Sequence, residues 1–407
     1  MRLSGSDPLA SRRLGIYLDD VYWVFEAEEG QRRISTDRSF LLFLSEVGER
    51  FDSLTLFGRT VHADAPSDYV LPADVELVEL PHYANLRRIH EVLGAAGGSL
   101  TRFWRGLARV DTLWIFGPHP FAVLFVVLGA ARRKRIFLGV RQDSVKVYQA
   151  RLSGLRWAPA ILVVRALDGV YRLFARRLPT TVQGAELAGR YGGPRSNLLT
   201  TTESVVRLRD VVSQPPERDW TGQLELLTVG RLEPEKNPLL VVEALARLES
   251  ERPGRYRLTW VGRGPLDEVV RGRAAELGVL DRIEFNGYVP YDAGLLDLYT
   301  RAHAFVHVSL SEGMPKVLIE ALACATPIVA TDVGGVRAAL ADGSVGLLVP
   351  PDDLKALVEA VLRISDEPEV RDGLVARGLE LVGALTLEAE RERVIGFMAR
   401  QLAEPVS

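Results

Sequence analysis

The chain has 407 residues, 47% of them apolar and 25% charged. That is the length of two to three ordinary domains and the composition of a globular protein, which excludes a disordered or fibrous chain. A formal charge of -3 excludes a nucleic-acid binder driven by bulk charge, and a single cysteine, Cys324, excludes a disulfide framework or a cysteine-cluster metal site. The charge is unevenly spread. Residues 1–210 carry 29 basic and 22 acidic groups (+7), and residues 211–407 carry 21 and 31 (-10). Of the 50 basic residues only five are lysine: Lys134, Lys146, Lys236, Lys316 and Lys355.

The segment Met1 to Arg13 has no apolar core, so it is not expected to be a secretory leader. Strands are expected at Leu14–Leu18, Ser53–Phe57, Val75–Leu80, Thr112–Phe116 and Arg135–Val140, with helical segments at Ser39–Arg50, Leu86–Arg109 and Pro120–Ala131 between them. Alternation of this kind marks a doubly wound parallel sheet. It pauses at Arg207 to Gly222, which is charged, contains Pro215-Pro216 and reads as a linker. It resumes with strands expected at Leu224–Val229, Arg257–Val261, Arg282–Phe285, Ala304–Val308, Pro327–Ala330 and Leu347–Val349. The expected division is therefore two α/β, Rossmann-like domains, residues 1–210 and 211–385. An amphipathic helix within 386–407 would cross back to the first domain.

The longest apolar run, Phe121 to Ala131, is about half of the ~20 residues that span a bilayer. The expectation is a cytoplasmic chain, with a reduced cysteine. Arg132-Arg133-Lys134-Arg135 follows that run, and Arg172, Arg176 and Arg177 close another, Ala158 to Phe174. Two explanations stand at this point. The clusters form a basic face for an anionic membrane, or they complement the C-terminal dipoles of buried helices.

Two segments of the second half carry the chemistry. Ser309 to Ala323 follows an expected strand; Gly313 permits a tight turn and Pro315 suits the first position of a helix. The unpaired N–H groups within Met314 to Val317, Pro315 having none, make an anion site with the charge of Lys316. Glu312 precedes the helix, and Glu320 lies roughly 7–8 Å along its axis, at ribose distance from a phosphate on the helix end. A surface-facing Glu320 is the plain alternative. Second, Gly230 to Pro238 follows the strand Leu224–Val229, with Asn237 and Pro238 as a helix start. Arg231 and Lys236 flank this loop and suit a diphosphate. Alternatively, Arg231 only pairs with Glu233 or Glu235. A third turn, Val261 to Pro265, contains Gly262 and Gly264.

These segments occur in a fixed order with Asn286 to Pro290, Pro327 to Gly335 and Gly346 to Pro350, and the two glutamates have E-x7-E spacing. Over about Leu224 to Leu362 the sequence resembles the retaining group-1 (GT4) glycosyltransferases. The resemblance implies a GT-B fold: two Rossmann-like domains facing a cleft, the nucleotide-sugar donor held by the second. It further implies that Arg231 and Lys236 stabilise the departing diphosphate, that Glu312 contacts the donor sugar and Glu320 the ribose. Gly230, Gly262 and Gly264 would line the donor site. Tyr288 and Val289 would read the base, and the backbone of Gly313, Met314, Pro315, Lys316 and Val317 would cradle the phosphate. Retention of anomeric configuration is likewise an implication of the family. No D-x-D sequence occurs, so no metal or other cofactor is required by the sequence.

The first half departs from the family's pattern. Asp19-Asp20 follows the first strand where a Gly-Gly turn is usual, and both are candidates for binding acceptor hydroxyls or for capping a loop. His119, after the fourth strand, is a candidate catalytic contact to the donor sugar or helper base, with a plain surface residue as the alternative. Arg141 and Asp143, after the fifth, are acceptor-side candidates. In the second half Ala325 replaces a usual glycine, and Arg337 stands where an acidic residue is common. The expected partners are a nucleotide-sugar donor and a hydroxylated acceptor (a glycan, a lipid-linked or a small molecule), with no nucleic acid. Two alternatives remain: a sugar-nucleotide epimerase or hydrolase on the same fold, and a non-catalytic nucleotide-sugar-binding subunit.

Overall fold

The computed structural model describes residues 8–403, excepting 28, 29, 39, 65, 68, 87, 152–156 and 203. Residues 1–7, part of the segment read for a leader, lie outside the described residues, as do Ser39 and Arg87 of two expected helices. The chain divides into two compact units. Unit 1 comprises Met1–Val205 with Glu390–Ser407, and unit 2 comprises Val206–Ala389.

Unit 1 is built on strands β1 (Arg13–Glu26), β2 (Arg32–Thr36), β3 (Ser53–His62), β4 (Tyr69–Val70), β5 (Glu76–Leu80), β6 (Thr112–Gly117), β7 (Arg135–Val140), β8 (Thr180–Gln183) and β9 (Leu198–Thr201). Among the described residues these form one sheet, whose parallel part runs β5-β3-β1-β6-β7-β8-β9. The residues of β6 and β7 are buried almost without a break, as helices on both faces of a parallel sheet require.

β1 departs from expectation. It does not end at Leu18 but continues to Glu26, with a register shift between Tyr17 and Val21, and its second half pairs antiparallel with β2. Asp19 and Asp20 therefore sit in a bulge inside a strand rather than in a loop beyond it. The last helix, Leu387–Ala403, completes unit 1 from Glu390 onward. Glu390, fully buried, accepts the Thr202 N–H at 3.0 Å and Arg393 at 2.6 Å. Phe397 meets Phe137 edge to face, 6.3 Å between centroids.

Unit 2 is built on β10 (Leu224–Val229), β11 (Tyr256–Val261), β12 (Ile283–Gly287), β13 (Ala304–His307), β14 (Ile328–Thr331) and β15 (Leu347–Val349). All neighbours are parallel, in the order β12-β11-β10-β13-β14-β15. The strand order reverses between β10 and β13, and in open parallel sheets the crevice at that switch point is where ligands bind.

Arg207 to Gly222, expected to be a linker, is pinned to unit 2 instead. The Val212 N–H donates to the Ala323 carbonyl at 2.9 Å. Arg218 donates to the carbonyls of Ala325, Thr300 and Cys324 at 3.0–3.3 Å. Burial there lowers the Arg218 pKa to about 10.

Candidate functional site

The loops after β10 and β13 meet at the switch point. The Leu310 N–H donates to the Glu235 carbonyl at 2.8 Å, which ties one loop to the other. Lys236 closes a short turn, Pro234–Lys236, and its Nζ lies 2.5 Å from Glu312 Oε1. His307, the last residue of β13, brings Nε2 to 3.1 Å from the same oxygen, off the line of a hydrogen bond. Burial pushes the Glu312 carboxyl up; contact with His307 and the Lys236 charge outweigh it and hold the pKa at about 2. His307 escaped the sequence reading, although a buried histidine closing the strand five residues before Glu312 was a visible signal.

Two glycine pairs explain how loops of this shape fit together. A Cβ on Gly334 would lie 1.9 Å from the Glu312 carbonyl oxygen, and one on Gly335 would lie 1.8 Å from that of Gly313. The Gly335 N–H also donates to the Glu312 carbonyl at 3.2 Å. Gly334-Gly335 thus positions the backbone that carries Glu312. On the other side, Gly262 and Gly264 back onto the carbonyls of Gly230 and Leu232, at 2.0 and 2.3 Å from a would-be Cβ. The packing requirement for glycine at both positions is therefore set by the Gly230–Leu232 loop. Gly262 also adopts φ +140°, which a side chain would oppose.

The helix runs Lys316–Ala323, one residue later than expected, with Pro315 as its cap. Gly313 and Lys316 flank that start, with Met314, Pro315 and Val317, so the helix N-terminus opens beside Lys236 and Glu312. Glu320 points inward rather than to the surface: it is buried and accepts the Tyr299 hydroxyl at 2.9 Å. Burial raises its pKa, only partly offset by Tyr299 and Lys316. The helix ends with Ala325 in the left-handed region, φ +52°, its N–H on Leu322 and the Thr326 N–H on Ala321. A glycine is the usual residue there because the Cβ is strained.

Arg231 is exposed and paired within its own loop, to Glu233 at 2.7 Å and Glu235 at 3.3 Å. Asn237 precedes Pro238 as expected, but at φ +48° with no side-chain cap; its amide donates to Asp352 at 3.2 Å. Arg337 pairs with Asp332. Tyr288 is half-exposed after β12, and Val289 packs into the core beside it.

Unit 1 holds a second buried cluster. Asp19 accepts the Tyr83 hydroxyl at 2.5 Å and pairs with His119 Nε2 at 3.0 Å; Arg59 Nε lies 3.1 Å away, in ion-pair range but off the line of a hydrogen bond. His119 caps the helix Pro120–Ala131: its Nδ1 accepts the Phe121 N–H at 3.3 Å, which leaves the ring proton on Nε2, facing Asp19. His119 is buried, not a surface residue, and both ring nitrogens are engaged. Burial would raise the Asp19 pKa; His119, Arg59 and Tyr83 outweigh it and hold it at about 2.

Sequence reading missed Arg59 and Tyr83, which lie 40 and 64 residues from Asp19 in the chain and carry no local signal. Asp20 stands apart from this cluster, beside Arg38 Nε at 3.3 Å, its pKa raised by burial. Arg141 lies over the Phe40 ring at 3.8 Å. Asp143 caps the helix Ser144–Arg151 through the Lys146 N–H at 3.0 Å and pairs with Arg190. Among the described residues no group of three or more His, Cys, Asp and Glu side chains is arranged to hold a metal ion.

Residues 214–380 match the family model described as glycosyl transferases group 1. A D-inositol 3-phosphate glycosyltransferase from Acidothermus cellulolyticus is 36% identical over 187 residues, 44% of this chain and 41% of the relative. A glycogen synthase from Mycobacterium tuberculosis is 37% identical over 151 residues, 37% of this chain and 36% of the relative. The chain thus spans about two-fifths of the length of these curated relatives. Among solved structures, sucrose-phosphate synthase from Thermosynechococcus elongatus has a TM-score of 0.68 at 20% identity, covering 96% of this chain and 99% of that one. Anabaena HepE in complex with UDP and glucose has a TM-score of 0.66 at 13% identity, covering 96% and 100%. At such identities the likeness is one of fold, the two-unit GT-B architecture.

Proposed function

From the premise that residues 214–380 form a group 1 glycosyltransferase domain, we propose that the chain transfers a sugar from a nucleotide-diphosphate donor to a hydroxyl acceptor. Unit 2 holds the donor and unit 1 the acceptor. The observation that carries this reading is the Lys236–Glu312 pair at the switch point, 2.5 Å apart, beside the start of the helix Lys316–Ala323.

Breaking a glycosyl–phosphate bond builds negative charge on the departing diphosphate and positive charge on the sugar. Lys236 and Arg231 face the first, together with the N–H groups of Gly313, Met314, Lys316 and Val317. Arg231 would exchange Glu233 and Glu235 for phosphate oxygens. Glu312, kept ionised, sits on the sugar side. Glu320 takes the ribose hydroxyls, and Tyr288 and Val289 the base. Gly230, Gly262 and Gly264 shape the wall on which the diphosphate rests. These fixed cations supply the charge that a metal supplies elsewhere, and the anomeric configuration is retained. On the acceptor side stand Asp19, Asp20, Arg141 and Asp143, with His119 fixed between Phe121 and Asp19.

A thermal-shift screen of UDP-, GDP-, ADP- and TDP-sugars tests the donor claim. A true donor at 100 times its Kd stabilises by about 2.7 kcal/mol. The same donor should be turned over only when an acceptor is added. Product without acceptor would indicate an epimerase or hydrolase, and no shift with any donor would overturn the reading.

A further inference from the structure

We propose that unit 1 docks on an anionic lipid bilayer through the outer face of the helix Ala158–Ala175. The inference does not depend on the donor reading.

This helix is apolar on two faces, where an ordinary surface helix has a single apolar stripe: Tyr171, Phe174 and Ala175 pack on the core of unit 1. Its buried residues are Asp168, Tyr171 and Ala175. Tyr171 donates to the Ile115 carbonyl, and Asp168 accepts Tyr191 at 2.9 Å and pairs with Arg172 at 3.0 Å. These contacts fix the rotation of the helix about its axis. Opposite them, Leu162 (68% exposed), Val163, Val170 and Leu173 (57% exposed) face outward. At 100° per residue they fall in one stripe, with Arg165, Arg172 and Arg176 along its edge. Scattered apolar residues are normal on a surface; a stripe opposite the buried face is not. The neighbouring helix, Pro120–Ala131, shares the same core and adds exposed Leu124 and Val127.

Charge identifies the occupant. Residues 92–177 contain 15 basic and 3 acidic groups. The three acids are neutralised internally: Asp111 by Arg13, Asp143 by Arg190, and Asp168 by Arg172 and Arg190. Arg133, Arg165, Arg176 and Arg177 form no ion pair among the described residues, and all are exposed. An apolar stripe edged by arginine, without an opposing carboxylate, matches acyl chains below a layer of anionic headgroups. No helix among the described residues is long and apolar enough to cross a membrane, so the face lies on the surface. The Arg132–Arg135 cluster plays a lesser part than its sequence suggests. Arg132 stacks on Trp104 at 4.0 Å, and Lys134 donates to the Val110 carbonyl at 2.7 Å.

The test is flotation of the full chain with vesicles of phosphatidylcholine alone or with phosphatidylglycerol added. The chain should float with the anionic vesicles, not with the neutral ones, and come off as salt is raised. The triple variant R165E/R176E/R177E should bind about a hundredfold less, at about 1 kcal/mol per arginine. L162D/L173D should bind at least about tenfold less. The salt titration of the unaltered chain holds whether or not a variant folds. No flotation, or flotation indifferent to salt and to both variants, overturns the proposal. So does a self-association, seen by sedimentation, that L162D/L173D abolishes, because the stripe would then be a protein interface.

Discussion

Each unit holds one carboxylate at about pH 2 near the carboxyl ends of its central strands, Asp19 in unit 1 and Glu312 in unit 2. The two are assembled differently. Glu312 takes its partners, Lys236 and His307, from the loop after β10 and the last residue of β13. Asp19 takes Arg59, Tyr83 and His119 from β3, the segment after β5 and a helix cap. The first lies at the switch point of its sheet, where a ligand site is expected. The second is closed on itself, with every partner committed. The contrast predicts that loss of Lys236 is felt chiefly in chemistry and loss of Asp19 chiefly in stability.

The largest effect expected is on unit 1. D19A leaves Arg59 buried without its carboxylate and should destabilise the protein by about 3–5 kcal/mol, read as a lower urea midpoint. Next, K236A should lower transfer about 100–1000-fold, with a smaller loss of melting temperature than D19A, because His307 still faces Glu312. A reversal, with K236A unfolding and D19A folding normally but inactive, would exchange the roles of the two clusters.

A smaller effect is common to both. Each carboxyl is lowered on folding, so its contribution is fully present above its ordinary pKa, 3.8 for Asp19 and 4.5 for Glu312, and is lost as pH falls to about 2. At ~1.4 kcal/mol per tenfold change in proton affinity, Asp19 should be worth about 2–3 kcal/mol and Glu312 about 3–4 kcal/mol. The raised carboxyls of Glu320 and Glu390 act oppositely, costing stability as pH rises through their ordinary value of 4.5. Urea midpoints between pH 2 and 5 for the unaltered chain, E312Q and D19N should show a flatter acid limb in each variant. The smallest effect is outside both clusters: A325G relieves a left-handed alanine and should stabilise by about 0.5–1 kcal/mol, seen as a higher melting temperature.

The same contrast decides what could be read from the residues alone. In unit 2 the strands lie within a residue or two of their expected positions, because buried parallel strands are uninterrupted apolar runs. Its site is carried by short contiguous motifs, so Lys236, Glu312 and the helix start were legible together. Their geometry was not: the inward turn of Glu320 depends on Tyr299, which sits on another helix. In unit 1 the strand β1 was read as ending at Leu18, since two aspartates in a row look like a loop. Arg59, on the neighbouring strand, and Tyr83, after β5, partner Asp19 there, and Arg38 partners Asp20. Nor could the outward apolar stripe of Ala158–Ala175 be seen, because an apolar helix reads as buried until its neighbours are known.

The return of the last helix has a consequence for synthesis. Unit 2 is continuous from Val206 to Ala389, whereas unit 1 needs residues from Glu390 onward. The Thr202 N–H is separated from its acceptor on Glu390 by 188 residues. At about 5–20 residues per second, a ribosome takes about 10–40 seconds to cover that distance. Throughout that interval unit 2 is still being made, and Phe137 lacks its cover from Phe397. The half made first is thus the half finished last, and its uncovered sheet face is where a holding chaperone would have work to do.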